Sequence, residues 1–247
     1  MVDEPFRGWK NKDTVYYKTF GVPPVTDKIA AFDLDSTLVY TPSFYTTRAI
    51  TSRPSGGLII SPNDYVLYSP KVTKYLERYH MLGYVIVIFS NQKGPSDAGL
   101  LYNVKARMDN IFSEFKLKSS SAQLPLHVVF STSNDKYRKP KPGMYRFFKE
   151  HLNNGLDSDL DYSFYVGDAA GRIYDNKLKN AMAKNLKKAL DKLNINFDRT
   201  FDHNHTDKFE DLELLKALLK NDHSNCDLMF AKNIKFKFYT PEEIFEI

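Results

Sequence analysis

The sequence has few of the features that mark secreted, membrane-spanning or zinc-finger proteins. Its 247 residues include one cysteine, Cys226, which cannot form a disulfide within the chain or a Cys-rich zinc module. The apolar runs, such as that from Tyr84 to Phe89, are far shorter than the roughly 18 residues of a membrane span. The segment from Met1 to Arg7 lacks the apolar stretch of a secretory signal. We therefore expect a soluble intracellular protein that does not bind membranes.

The composition and the charge describe a folded protein with one unusual segment. Apolar residues make up 42% of the chain and aromatic residues 14%, which excludes collagen-like and intrinsically disordered classes. The length fits a single domain over residues 1–247 that carries an insertion. The net charge is +5. Lys177 to Leu193 holds six lysines against Asp191 alone, so the excess charge lies in an amphipathic helix of an insertion at about 173–221.

Short apolar runs alternate with helical patterns along the first two thirds of the chain. Runs of four to six residues rich in Val, Ile and aromatic residues indicate strands buried on both faces: Lys28–Phe32, Tyr84–Phe89, Leu126–Phe130 and Tyr162–Val166. Helical spacing of apolar residues predicts helices over 69–82, 100–115 and 143–152. This order predicts an α/β fold with a Rossmann-like parallel sheet flanked by helices.

Chemically active side chains follow each predicted strand. Ligands of parallel sheets bind beyond the carboxyl ends of the strands. We therefore expect one shared site for the residues at these ends, which are Asp33, Asp35, Ser90, Asn91, Lys139 and Asp168.

This set of residues suits phosphoryl transfer, in which positioning and charge stabilisation supply most of the catalysis. Closely spaced carboxylates need a cation to stay ionised, and oxygen ligands favour Mg²⁺. We predict a metal site formed by Asp33, Asp35 and Asp168. Asp33 is the predicted nucleophile, and Asp35 the predicted general acid and then base. Ser90, Asn91 and Lys139 are the predicted phosphate ligands.

The same segments resemble a known family. Residues 32–38 (FDLDSTL), 90–92 (SNQ), 139–140 (KP) and 167–168 (GD) resemble the four motifs of the haloacid dehalogenase superfamily of phosphatases. Residues 138–144, 165–172 and 222–233 are similar to the 3′-phosphatase domain of polynucleotide kinase/phosphatase. The resemblance implies a monomeric nuclear enzyme that uses Mg²⁺ to remove 3′-phosphate from DNA strand breaks during DNA repair.

The sequence departs from that pattern in three places. Ser36 replaces the family's usual glycine after the second aspartate, and the insertion at 173–221 is extra. No Gly-x-x-x-x-Gly-Lys-Ser/Thr motif occurs, so we expect no 5′-kinase activity.

The intervals 38–83 and 94–125, where related enzymes insert a cap over the substrate, have no room for a folded cap. An open site suits the end of a polymer.

Several further residues have both a functional and a structural interpretation. Thr37, Arg172 and Asp227 are candidates to support the metal or contact substrate, and Arg138 either reaches a phosphate or forms a surface ion pair. Phe44 and Tyr45 either stack on a terminal base or pack in the core. For the lysine-rich helix, the alternatives are a contact with the nucleic-acid backbone and a solvated surface; the candidate residues are Lys184, Lys187 and Lys188.

Two other functions are consistent with the sequence. One is a small-molecule phosphomonoesterase of the same superfamily. The other is a protein that binds DNA ends and has only vestigial catalysis, which the intact Asp33, Asp35, Lys139 and Asp168 disfavour.

Overall fold

The computed structural model describes residues 8–45, 61–92, 98–193, 211–219 and 221–245. The strands are β1 (Lys10–Lys12), β2 (Val15–Phe20), β3 (Ile29–Phe32), β4 (Val39–Tyr40), β5 (Val66–Leu67), β6 (Val85–Asn91), β7 (Leu126–Ser131), β8 (Phe164–Val166) and β9 (Lys237–Tyr239). The helices are α1 (Val72–Met81), α2 (Ala98–Ser113), α3 (Gly143–Leu152), α4 (Asn176–Asp191), α5 (Asp211–Leu218), α6 (Cys226–Ile234) and α7 (Pro241–Phe245).

The central sheet of the described chain has seven strands in the order β1-β2-β7-β6-β3-β8-β9. The five strands from β7 to β9 are parallel, whereas β1 and β2 add an antiparallel edge next to β7. The four strands predicted from apolar runs are β3, β6, β7 and β8, and the mostly parallel α/β fold is confirmed. The edge strands β1, β2 and β9 are additions to the prediction. β1 is exposed and β2 and β9 are only partly buried, so their sequences lack a continuous apolar run.

The core has two halves because side chains alternate between the two faces of the sheet. In β3, Ala30 and Phe32 lie in one half and Ile29 and Ala31 in the other. The first half includes buried residues of α1, α2 and α4, and the second includes those of α3 and α6. The sheet is thus covered on both faces. Within the described part of the chain, no helix is long and apolar enough to cross a lipid bilayer.

The lysine-rich segment forms the predicted amphipathic helix, α4. Asp175 begins it by accepting a hydrogen bond from the backbone N–H of Leu178 at 2.7 Å, which is a typical N-cap. Its apolar face is buried in the core through Met182, Ala183, Leu186, Ala189 and Leu190.

The intervals that the sequence predicts to be too short for a cap hold only small elements in the described residues. Between β3 and β6 these include β4, β5 and α1, and between β6 and β7 the helix is α2. Residues 46–60 and 93–97 of these intervals lie outside the described residues, so the absence of a cap stays a prediction.

A buried histidine in β7 predicts how stability depends on pH. His127 is 6% exposed, and Thr19 Oγ1 is 2.9 Å from its Nδ1. Burial lowers the pKa of His127 from 6.5 to about 4. Between pH 6.5 and pH 4 only the unfolded chain takes up the proton. The contribution of the buried, neutral His127 to the free energy of unfolding is therefore fully present above pH 6.5 and is lost as the pH falls towards 4. A shift of this size corresponds to about 3 kcal/mol.

We therefore expect His127→Gln to flatten the fall in the free energy of unfolding between pH 7 and pH 4, measured by urea denaturation. The exposed His223 supplies the matched control, His223→Gln, which should keep the wild-type slope. Identical slopes for both variants would show that His127 does not cause the acid sensitivity.

Candidate active site

The loop after β3 brings the first two aspartates to the carboxyl edge of the sheet. The backbone N–H of Asp33 donates to the carbonyl oxygen of Val166 at 2.8 Å, which ties the loop to β8. Ser36 has a φ of +59°, in the left-handed region, and its N–H donates to Val39 O at 2.7 Å. The turn needs this conformation, which glycine adopts without a Cβ penalty, so Ser36 meets the same backbone demand with some strain.

A buried lysine lies at the centre of the site. Lys139 Nζ is 2.5 Å from Asp33 Oδ1, 2.7 Å from Asp227 Oδ1 and 2.8 Å from the hydroxyl of Tyr165. Lys139 is 4% exposed, Asp33 7% and Asp227 1%. The ammonium group is thus removed from water and paired with two carboxylates, which is the condition under which a charge is tolerated in a protein interior.

The asparagine of the second motif holds the main chain of this lysine. The side-chain amide of Asn91 donates to Lys139 O at 3.0 Å, and its Oδ1 accepts from Lys139 N at 2.9 Å. Both polar groups of Asn91 are therefore engaged in the loop. The structure supports a positioning role for Asn91, whereas its predicted contact with phosphate stays a prediction.

Three carboxylates meet beside the lysine. Asp33, Asp168 and Asp227 each offer an oxygen within 4.8 Å of the other two. Both oxygens of Asp227 accept hydrogen bonds, Oδ1 from Lys139 and Tyr165 and Oδ2 from the N–H of Ala169 at 3.0 Å. No donor contacts the carboxylate of Asp168 among the residues that the structure describes. Asp33 and Asp168 are therefore the carboxylates with free oxygens for a metal ion.

The protonation states of this cluster reflect a shortage of positive charge. Burial raises the pKa of Asp33 to about 7. Lys139 opposes this effect only in part, and the charge of Asp227 adds to it. Burial, with repulsion from Asp227 and Asp33, also holds the pKa of Asp168 well above its usual range. Burial alone would lower the pKa of Lys139, but Asp227 and Asp33 outweigh it and keep the lysine protonated. An all-oxygen cluster of this charge fits a hard divalent cation such as Mg²⁺.

Asp35 lies in a different electrostatic environment. Its Oδ1 accepts from Arg107 Nη1 at 2.8 Å and from Thr41 Oγ1 at 3.1 Å, and its Oδ2 accepts from Gln92 Nε2 at 2.9 Å. Burial tends to raise the pKa of Asp35, but Arg107 and these hydrogen bonds hold it below its usual value. The sequence interpretation placed Asp35 among the metal ligands, whereas the structure groups Asp227 with Asp33 and Asp168.

Two residues organise this second environment: Arg107, which the sequence interpretation missed, and Gln92, which it included in the second motif without a role. Arg107 is fully buried and also donates to Thr41 Oγ1 and to the carbonyl of Asp64, both at 2.8 Å. Gln92 bridges the motifs, because its Nε2 donates to Ser90 Oγ at 2.8 Å as well as to Asp35. The available signal was the position of Arg107 in α2, three residues after Val104 on the face that packs in the core.

The remaining candidates differ in burial and contacts. The Thr37 hydroxyl is buried without a hydrogen-bond partner among the described residues. Arg138 donates to Gln92 O at 3.2 Å. Tyr45 is 5% exposed and packs in the core with Phe44 edge-on to it at 5.2 Å, which agrees with the core-packing alternative.

The chain segments on either side of the insertion are held together by hydrogen bonds; we call residues 169–172 and 222–227 the neck. The N–H of Asp227 donates to Ala169 O at 3.1 Å, and that of Asp222 to Arg172 O at 3.1 Å. Arg172 adds ion pairs to Asp222 and Glu242, both at 2.9 Å, and a bond to Asp168 O at 3.0 Å. Arg172 therefore holds the loop that carries Asp168 in place.

Comparison with known proteins agrees with this geometry. A family model described as polynucleotide kinase 3 phosphatase matches residues 28–245, which include every motif of the site. The chain belongs to this family. The resemblance seen in the motifs is thereby confirmed, and the residues around Lys139 all lie within the part of the chain that matches the family model.

Two curated relatives of this family member are longer proteins. A bifunctional polynucleotide phosphatase/kinase of Schizosaccharomyces pombe is 30% identical over 243 residues, covering 96% of this chain and 42% of the relative. Polynucleotide 3′-phosphatase ZDP of Arabidopsis thaliana is 28% identical over 250 residues, covering 96% of this chain and 27% of the relative. The chain spans less than half the length of either relative.

Solved structures of other phosphatases are more distant. D,D-heptose 1,7-bisphosphate phosphatase of B. bronchiseptica is 18% identical to this chain, with a TM-score of 0.41 over 77% of this chain and 97% of that chain.

The close contact between Gly167 and Asp227 offers a test of how Asp227 is held beside Lys139. A Cβ at position 167 would lie 2.6 Å from Cβ and Cγ of Asp227, closer than unbonded carbon atoms approach. We expect Gly167→Ala to lower the free energy of unfolding by about 1–3 kcal/mol, since Asp227 must move away from Lys139. Urea denaturation measures the loss.

Ala170→Ser is the control, because it adds one atom to the same loop at a half-buried position. We expect it to change stability by less than about 0.5 kcal/mol. Equal effects of both variants would mean that the loop as a whole, and not the contact with Asp227, is sensitive.

Proposed function

We propose that the chain is a Mg²⁺-dependent polynucleotide 3′-phosphatase that removes 3′-phosphate from DNA strand breaks and serves DNA repair in the nucleus. The observation that carries the proposal is the juxtaposition of Asp33, Lys139 and Asp168 at the carboxyl edge of the sheet. Family membership supports the class of substrate, and the relatives from S. pombe and A. thaliana are described as polynucleotide phosphatases. The chain lacks the Gly-x-x-x-x-Gly-Lys pattern, so we propose no 5′-kinase activity for it.

The first step follows from the position of Asp33. One oxygen of its carboxylate is held by Lys139, and an oxygen attacks the phosphorus atom to form an aspartyl-phosphate. The bond between phosphorus and the 3′-oxygen breaks, and the 3′-oxygen leaves with the electron pair. Asp35 donates the proton that turns it into a 3′-hydroxyl. The negative charge of the bound phosphate favours the protonated form of Asp35, against the effect of Arg107.

The second step restores both carboxyl groups. Water attacks the phosphorus atom of the aspartyl-phosphate and passes its proton to Asp35. The bond between phosphorus and Asp33 breaks, and inorganic phosphate leaves. In both steps Ser90 offers its hydroxyl to the phosphate oxygens, and Lys139, whose three ammonium hydrogens are engaged by Asp33, Asp227 and Tyr165, contributes its positive charge. When bound at Asp33 and Asp168, Mg²⁺ supplies the positive charge that the cluster lacks.

A substrate comparison tests this function. We expect phosphate release from a 3′-phosphorylated oligonucleotide to exceed release from a 5′-phosphorylated one and from sugar phosphates. We expect Asp33→Asn to abolish it, with a loss of more than about 1,000-fold, because the amide is not a nucleophile. Released inorganic phosphate is measured, and a thermal unfolding curve checks that the variant is folded.

The other outcomes separate the alternatives. Preference for sugar phosphates would identify a small-molecule phosphomonoesterase. Tight binding of 3′-phosphorylated DNA without release would identify an end-binding protein. Turnover by Asp33→Asn would refute the aspartyl-phosphate mechanism.

The two roles of Asp35 predict burst kinetics with an artificial substrate. p-Nitrophenolate leaves without protonation, so the first step with p-nitrophenyl phosphate does not need the acid. We expect Asp35→Asn to release a rapid burst of about one p-nitrophenolate per enzyme and then to turn over slowly, because the base for the water attack is missing. Stopped-flow absorbance measures the burst. A slow linear release without a burst would contradict the proposed division of labour.

A further inference from the structure

A groove lies between the start of α1 and the outer face of α4. Its volume is about 640 Å³, and its walls include Lys71, which immediately precedes α1, and Lys177, Lys184 and Lys188 from α4. Asparagine, serine, proline and alanine residues form the rest of the lining that the structure describes, and none of these carries a carboxylate. Four lysines in the described lining favour a negatively charged ligand.

The lysines of α4 form a row. Lys177, Lys184 and Lys188 are spaced by seven and four residues, which places them along one face of the helix over roughly 16 Å. In the described parts of the chain no carboxylate forms an ion pair with any of the three, whereas Lys187, which is not part of the lining, pairs with Asp191 at 3.1 Å. The row thus presents unneutralised charge with the length of several phosphates.

The groove is held in place by direct bonds between its walls. Asn185 of α4 donates to the carbonyl oxygen of Tyr68 at 2.8 Å and to the hydroxyl of Tyr40 at 3.0 Å. On the other wall, Ser69 Oγ accepts from the N–H of Lys71 at the beginning of α1. The lysine row therefore lies on a helix that is packed in the core and hydrogen-bonded to Tyr40 of β4 and to Tyr68, the residue after β5.

The chain path places the groove on the catalytic side of the sheet. α4 follows β8, so it begins near the carboxyl end of that strand, just beyond Asp168. α1 precedes the parallel strand β6 and returns the chain to the start of that strand, so its first turn also lies on the carboxyl side. Lys71 and Lys177, at the beginnings of these helices, are the groove residues on that side.

We propose that this groove binds the phosphodiester backbone of the nucleic-acid strand whose 3′ end occupies the catalytic site. The proposal rests on the proposed function, because a strand that ends at Asp33 must cross the carboxyl side of the sheet. The length of the lysine row favours a chain of phosphates over a single small anion. The prediction from the sequence thereby gains a defined surface: Lys184 and Lys188 line it together with Lys71 and Lys177, and Lys187 does not.

The test measures how salt weakens binding of a single-stranded oligonucleotide that ends in a 3′-hydroxyl. This ligand has the backbone but no phosphate to hydrolyse, and fluorescence anisotropy gives its Kd over a range of KCl concentrations. The groove variant is Lys177→Gln/Lys184→Gln/Lys188→Gln. We expect the slope of log Kd against log salt to fall by about 2 and the affinity at 0.1 M KCl to fall roughly 10- to 100-fold.

A control variant removes the same number of charges outside the groove lining, one from α1, one from α4 and one from the residue that follows α4. Lys74→Gln/Lys179→Gln/Lys192→Gln changes residues that are not in the lining, and we expect its slope to stay close to that of the wild type. Thermal unfolding of both variants verifies folding. Equal changes in the two variants, or an unchanged slope in the groove variant, would overturn the proposal.

Two more measurements separate this proposal from its alternatives. Displacement of the oligonucleotide by micromolar inorganic pyrophosphate would identify a small-anion site and overturn the strand proposal. The wild-type protein is assayed for phosphate release from a 3′-phosphorylated oligonucleotide. Release together with an unchanged groove slope defeats the groove alone, whereas a groove effect without any release defeats the catalytic proposal.

Discussion

The structure depends on one buried ammonium group. An unpaired charge in a protein interior costs several kcal/mol, so Lys139 can be buried only where Asp33 and Asp227 both reach it. These partners come from the end of β3 and the first turn of α6, and Tyr165 of β8 completes the contact. The loop after β3, strand β8 and helix α6 therefore all have to reach Lys139, and the same contact orients the predicted nucleophile.

The two aspartates of the first loop illustrate how one fold assigns two chemical tasks. Asp33 and Asp35 are two residues apart, yet their pKa values shift in opposite directions. Burial among carboxylates acts on Asp33, while the guanidinium of Arg107 acts on Asp35. These directions are the reverse of what a nucleophile and a general acid need, so the proposed roles require a cation that lowers the pKa of Asp33 and a bound phosphate that raises the pKa of Asp35. The loop sets the spacing of the two aspartates, and residues distant in sequence set the difference between their pKa values.

Local sequence was sufficient for the elements whose neighbours do not alter their pattern. The apolar runs identified β3, β6, β7 and β8, and the spacing in α3 gave its limits of 143–152, because a buried element needs the same residues wherever it packs. It could not identify the environment of Asp35. Arg107 is 72 residues away along the chain, so only the tertiary fold brings it within 2.8 Å. The grouping of Asp227 with Asp33 has the same cause.

The neck has an evolutionary consequence for the catalytic loop. Because hydrogen bonds join residues 169–172 to residues 222–227, the chain leaves and re-enters the fold at neighbouring points. Asp168 and Asp227 lie next to these points and are fixed by the neck rather than by what lies between. The exposed residues of α4 can therefore change while Asp168 and Asp227 keep their positions, whereas the apolar face of this helix must stay apolar because it is buried in the core.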